Sequence, residues 1–346
     1  MNLQDYSMKM TEQEYHDYPC WSHSMIARYA REGFSAIKTI HEKTKPTPSM
    51  EFGSLVDCMI TRPADVEKEY FVVYKDIPKA EKEALDYLAD REYPAETLNG
   101  YTFGELKEIT DECGYQSRWG AETKYNHLSI YNDYYEAKVK GKKVVSYSDY
   151  EDAYKMAYAI SNSENTKDLF KSGTQGNKEY IYQAKFKITY QTNFGPVEIK
   201  FMPDLIIIDN ENRTIQLVDL KTSAQPGYDF SESFLKFRYD IEASLYTYAM
   251  QQIMNEHDFY SSYTLLPFLF ADISRTDMVP VTYTYDCTSE TQCQGLTYGS
   301  DKVYSYKNWD VLLNEILSYE ASGAIVPNNI SLAAPNDIIE LLNIKR

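Results

Sequence analysis

The sequence predicts an α/β fold, a sheet flanked by helices, with a helical N-terminal part packed on it. Three observations predict it. Between residues 179 and 220 the apolar residues fall in short β-branched runs separated by polar turns, the pattern of antiparallel strands. A helical stretch near 237–254 follows, and strands return at 264–273 and 278–285, so one helix interrupts the strands. Before residue 170 helical spacing appears instead, near 26–37, 52–60 and 150–160, while 75–145 is only weakly periodic.

The elements follow in order. Tyr15 to Glu42 reads as a polar lead-in and then a helix with Ile26, Tyr29, Ala30, Phe34 and Ile37 on one face. Phe52 to Ile60 reads as a second, buried helix closed by Pro63. Residues 75–145 are polar and rich in Tyr, Glu and Lys, and read as inserted helices and loops. Ser148-Asp149-Tyr150-Glu151 has the form of a capping box, opening a helix with Tyr150, Ala153, Tyr154, Ala157 and Ile160 at helical spacing. After a linker at 171–177, strands run from Glu179 to Tyr190, from Val197 to Ile208 and from Thr214 to Leu220. The helix at 237–254 puts Glu242 and Tyr246 one turn apart on one face. Helices near Trp309–Tyr319 and Asp337–Leu342 close the chain. The expected division is a helical part at 1–146, containing the 75–145 insertion, and a sheet-bearing core at 147–346.

The chain has 346 residues, 43% of them hydrophobic, enough for a real core. The apolar runs are too short for a membrane helix, and residues 1–24 lack a signal-peptide pattern, so a cytoplasmic protein is expected. Cys20, Cys58, Cys113, Cys287 and Cys293 are scattered, as free thiols in a reducing compartment would be. With 52 Asp and Glu against 35 Lys and Arg the net charge is −17, which argues against broad non-specific adhesion to nucleic acid but not against a local basic channel. Lys138, Lys140, Lys142 and Lys143, and more loosely Lys178, Lys185, Lys187 and Lys200, are either solvated faces or the walls of such a channel. The 33 tyrosines can stack on bases, although most must serve as core or surface.

The chemistry concentrates around one hairpin. Met202-Pro203-Asp204 opens the run Leu205 to Ile208; Asp209-Asn210-Glu211-Asn212 turns; Ile215 to Val218 leads into Asp219-Leu220-Lys221-Thr222. Alternation along a strand points Asp219 and Lys221 the same way. Folding back through the turn brings Asp204 within a residue or two of Asp219. Two carboxylates and an amine then meet at the end of a buried hairpin, where unpaired charge is costly. Such a group suits a divalent metal and a water to be activated. Asp-x-Lys alone is common and carries little.

In this order the motifs resemble the PD-(D/E)XK nuclease superfamily, in particular its RecB-like and RecE-like phage-type exonucleases. Met202-Pro203-Asp204 with Asp219-Leu220-Lys221 resembles the motif that names the family, and Glu179-Tyr180-Ile181-Tyr182 resembles its glutamate-bearing strand. Glu242-Ala243-Ser244-Leu245-Tyr246 is similar to its QxxxY helix, with Glu for Gln. Phe52 to Asp57 is similar to its Gly-containing helix, with Asp57 for the metal-binding His. Tyr15 to Pro19 and Ser22-His23-Ser24 resemble the start of RecE-type chains, and Met202 stands where these often carry Arg. The main likeness covers about residues 147–285.

The resemblance implies a restriction-endonuclease-like core and a metal-dependent DNA exonuclease, acting 5′→3′ on duplex ends in phage-type recombination. Asp204, Asp219 and the Leu220 carbonyl would hold Mg²⁺ or Mn²⁺, with Asp57 and Glu179 as further ligands. Asp204, Asp219, Lys221 and Glu179 would form the catalytic set, with Lys221 orienting or deprotonating the water. Glu242, Tyr246, Thr222 and Ser223 would meet DNA or simply pack the fold. His16 and His23 read as surface residues rather than ligands. The implied partners are DNA, a single-strand annealing protein and further copies of the chain, in a bacterial or phage-infected cell. A nuclease fold kept as a DNA-binding scaffold, or a structure-specific endonuclease, are the alternatives.

Overall fold

The computed structural model describes residues 3–287, 296–298 and 304–322; Cys293 and the helix expected at 337–342 lie outside the described residues. The chain forms two compact units: Met1–Lys45 with Ala159–Arg346, and Pro46–Tyr158. The first 45 residues therefore group with the sheet rather than with the middle of the chain. No described helix is long and apolar enough to cross a membrane.

The first unit is built on a seven-stranded mixed sheet with helices against it. Across it lie Pro280–Tyr285, Phe268–Ser274, Thr214–Ser223, Leu205–Asp209, Lys178–Tyr182 and Gly173–Gln175, with the short Thr264–Leu265 also paired to Thr214–Ser223. The hairpin forms as its pattern predicts: Leu205 pairs with Val218 and Asp209 with Thr214, antiparallel. Its turn is an Asx turn, in which Asp209 Oδ1 accepts from the Glu211 and Asn212 amides at 3.1 and 2.9 Å. From Ser223 the chain crosses over through the helices Phe230–Phe237 and Tyr239–Glu256 and returns as Phe268–Ser274, parallel to Thr214–Ser223. The strand expected across 197–208 is broken at Met202–Asp204: Gly195–Phe201 pairs with Phe186–Thr192 as a separate hairpin, and the sheet strand begins at Leu205.

Alternation sorts the side chains. Ile206, Ile208, Ile215, Leu217, Phe268 and Phe270 join one core with Ile241, Leu245, Tyr246, Ala249 and Met250 of the Tyr239–Glu256 helix. Leu205, Ile207, Val218 and Ala271 face the other way into a smaller cluster.

The N-terminal segment is tied to the separate hairpin. Trp21 bridges to Ile199, with Trp21 N donating to Glu198 O at 3.0 Å and Lys200 N to Trp21 O at 2.8 Å. The buried Lys200 ammonium donates to the carbonyls of Tyr15, His16 and Tyr18 at 2.6, 3.1 and 2.8 Å, closing the Glu12–Asp17 helix. Lys200 is thus a structural anchor and does not line a channel.

The second unit is mostly helical, as its polar, tyrosine-rich sequence suggests. Lys79–Ala89, Phe103–Glu112, Ala121–Ser129 and Asn132–Val139 bury Leu85, Leu88, Leu106, Leu128 and Tyr135, beside the parallel pair Tyr70–Val73 and Lys143–Ser146. Thr102 and Glu105 form a capping box. The Tyr147–Asn162 helix starts one residue before the expected box, because Ser146 supplies the cap: its Oγ accepts from Asp149 N at 3.0 Å. In the lysine cluster, Lys138 pairs with Asp86, Lys140 with Glu136, and Lys142 donates to Glu67 O.

Candidate metal centre

The hairpin ends where its apolar pattern gives way to charge. Continuing the pairing by one residue sets Asp204 opposite Asp219. Leu220 N donates to Asp204 Oδ2 at 2.8 Å, and Gln183 N to Asp204 O at 3.0 Å, so the residue just before the strand is held against its neighbours. Ile206 and Leu217 lie on the helix-covered face, so alternation puts Asp204, Asp219 and Lys221 on that face too. The three residues read from the motif are therefore brought to one end of one sheet face.

Glu242 and Tyr246 come down on this end from the Tyr239–Glu256 helix, both buried. Lys221 Nζ lies 2.6 Å from Asp219 Oδ2 and 2.7 Å from Glu242 Oε2, and sits over the Tyr239 ring at 4.4 Å. The Asp219 contact is Coulombic: its Oδ2 is buried and accepts no well-aligned hydrogen bond. Burial and the charge of Glu242 push the Asp219 carboxyl up to about 7, against the pull of Lys221. For Lys221, burial opposes the charge, but Asp219 and Glu242 outweigh it and hold the ammonium well above the usual lysine value.

Two members were not foreseen. His23 opens the His23–Glu32 helix and reaches the site, with Nδ1 2.9 Å from Tyr246 Oη and Nε2 3.4 Å from Glu242 Oε1. Burial, reinforced by Lys221, pushes its imidazole down to about 3, so the ring is neutral. Asp272 lies beside Lys221 in the parallel register, on the same face as Phe268 and Phe270. Ser223 donates to its Oδ2 at 3.1 Å, while Oδ1 is buried without a partner. Burial lifts this carboxyl to about 6.

Other expected site residues have other partners or belong to the other unit. Glu179 pairs with Ile208, whereas Tyr182 is the residue at the Asp204 end of its strand. That offset puts Glu179 about 10–13 Å down the sheet, where its Oε1 accepts from Asn210 Nδ2 at 2.9 Å and braces the hairpin turn. It does not join the constellation; strand register, which the motif order does not contain, decides this. Asp57 lies in the second unit, on the Pro48–Thr61 helix, where Thr61 Oγ1 donates to its main-chain carbonyl at 2.9 Å. Glu242 and Tyr246 are turned inward and present no face to a nucleic-acid strand, because the apolar stripe of their helix faces the sheet. The Ser223 hydroxyl has Asp272 Oδ2 and Gln225 O as alternative acceptors for its one proton, at 3.1 and 2.9 Å. Thr222 lies on the opposite face from Lys221.

Among the described residues no group of three or more His, Cys, Asp or Glu side chains is gathered so as to hold a metal ion. The donor set still fits a hard divalent cation. Mg²⁺ takes one or two carboxylates and keeps waters, and Asp204 and Asp219 supply that pair, one of them with a buried, poorly satisfied oxygen. The Leu220 carbonyl, the third expected ligand, follows Asp219 directly in sequence. No family model matches the chain, and no curated protein matches it significantly.

Proposed function

We propose that this protein is a metal-dependent DNA nuclease with a restriction-endonuclease-like core of the PD-(D/E)XK kind. The observation that carries the reading is the convergence of Asp204, Asp219 and Lys221 on one face at one sheet end, with the Leu220 amide fixing Asp204. Asp204 and Asp219, with the Leu220 carbonyl, would hold Mg²⁺ or Mn²⁺. When bound, the ion supplies a more acidic water and charge compensation at a phosphodiester. Lys221 brings a positive charge to the same place, where it orients a water and offsets charge on the phosphoryl oxygens. The Tyr239 and Phe270 ring centroids lie 4.4 and 5.9 Å from its ammonium.

The narrower form of the proposal is an exonuclease working 5′→3′ from duplex ends, with an annealing protein as partner. The test is digestion of linear duplex DNA with Mg²⁺ or Mn²⁺ by the wild type, Asp204→Asn and Lys221→Ala. Cutting by the wild type that is lost in both variants supports it. A wild type inert with both metals, on duplex and single strands, overturns it. One observation favours a second reading, a nuclease fold retained for binding: Glu242 competes with the metal centre for Lys221. Salt-sensitive DNA binding without turnover would select that reading.

A further inference from the structure

We propose that His23 is a positioning residue for Lys221, acting through Glu242, so that the N-terminal segment completes the reacting centre. The inference rests on Lys221 belonging to that centre. The donors and acceptors around His23 allow one direction. A carboxylate only accepts, so the Nε2 that faces Glu242 Oε1 at 3.4 Å must carry the proton of the neutral ring. Nδ1 is then an acceptor and takes the Tyr246 hydroxyl at 2.9 Å. Tyr246 can give that proton because burial, with the charge of Glu242 nearby, keeps it a phenol. Tyr246 therefore donates to His23, whose protonated Nε2 faces Glu242 Oε1 in an electrostatic contact at 3.4 Å, while Lys221 donates to Oε2 at 2.7 Å. Both oxygens of Glu242 are engaged from opposite sides, which fixes its rotamer and with it the seat of the ammonium.

His23 is itself held from outside the site. Two residues earlier, Trp21 is bridged to Ile199, and the Lys200 ammonium fastens the Tyr15, His16 and Tyr18 carbonyls. The imidazole edge also packs on the Tyr246 ring, with centroids 5.2 Å apart. A segment more than 170 residues away in sequence thus sets the geometry of the motif lysine.

The test reads the lysine directly. The full chain is treated with limiting acetic anhydride without metal, and acetylation of Lys221 is followed by peptide mass spectrometry against the exposed Lys43. Loss of the contact that seats Glu242, or of its charge, should raise the Lys221 rate about tenfold in His23→Ala and in Glu242→Gln. His23→Gln, which keeps an N–H for Glu242, should stay near the wild type. In a DNA-cutting assay the same His23→Ala variant should lose kcat with KM little changed. An unchanged Lys221 rate in folded His23→Ala and Glu242→Gln overturns the proposal, as does His23→Gln behaving like His23→Ala. A wild type that cuts no DNA but shows the acetylation pattern leaves the relay standing and removes only its catalytic use.

Discussion

Replacing Asp272 with Asn should stabilise the protein at alkaline pH and not at acid pH. The residue is 1% exposed, Ser223 donates to one oxygen, and the other accepts nothing. Burial raises its carboxyl from the ordinary 3.8 to about 6, with Asp277 adding and Ser223 and Lys221 opposing. The sign follows from linkage. Below 3.8 the group is protonated in both the folded and the unfolded chain and costs nothing. Between 3.8 and about 6 the unfolded chain ionises first, so stability falls as pH rises. Above that window the penalty is constant, at about 3 kcal/mol. Asparagine keeps the size and the acceptor for Ser223 but carries no charge; its buried amide group gives back about 1 kcal/mol. The net gain at pH 8 is about 2 kcal/mol, or roughly 4–8 °C in Tm for a unit of this size. Urea unfolding followed by circular dichroism at pH 4.5 and 8 measures it. An Asn variant less stable than wild type by the same amount at both values would refute the reasoning, because it would mean that the carboxylate is well satisfied in the fold.

Four further outcomes are expected. Lys200→Met removes the donor for three carbonyls and should cost about 3 kcal/mol, with earlier proteolytic release of the N-terminal segment. Asp209→Ala removes the Asx turn and should cost about 1–2 kcal/mol by urea unfolding. The amides of Asn212 hold the Asp209 carboxyl below its usual value, so that loss should be present at neutral pH and shrink as pH falls below 3.8. On the proposed nuclease function, Glu179→Gln should keep DNA cutting within about twofold, since its amide can still accept from Asn210 far from Asp204. On the same proposed function, Lys221→Ala should lower cutting about 100-fold or more, as removal of a group that stabilises transition-state charge does.

What was legible in the chain follows from how local each cause is. The hairpin was legible because its signals are local: two β-branched runs, and an Asp-Asn turn whose Asp caps the turn amides. Asp204, Asp219 and Lys221 follow from that hairpin by alternation alone. Glu179 was misplaced because its strand pairs four residues out of the needed register, and register is a property of two strands together. Asp272 carries no motif; only the parallel crossover lays its strand beside Lys221. His23 depends on the long-range bridge at Trp21.

Glu242 is a different case, because its true setting was readable. Counting along its helix, 242, 246, 249, 250 and 253 fall on one stripe, and the other four are Tyr, Ala, Met and Ile, all buried. An acid on a stripe of that kind cannot face solvent or a phosphate chain; it must be buried, and a buried carboxylate needs a donor or a cation. In the nuclease superfamily that the motifs resemble, a glutamine stands at this place. The helical period, taken by itself, pointed inward to a lysine on the sheet beneath, and Lys221 is the one that ends an apolar strand. The off-pattern acid is therefore explained by the lysine it holds, and its first consequence is for Lys221 rather than for DNA.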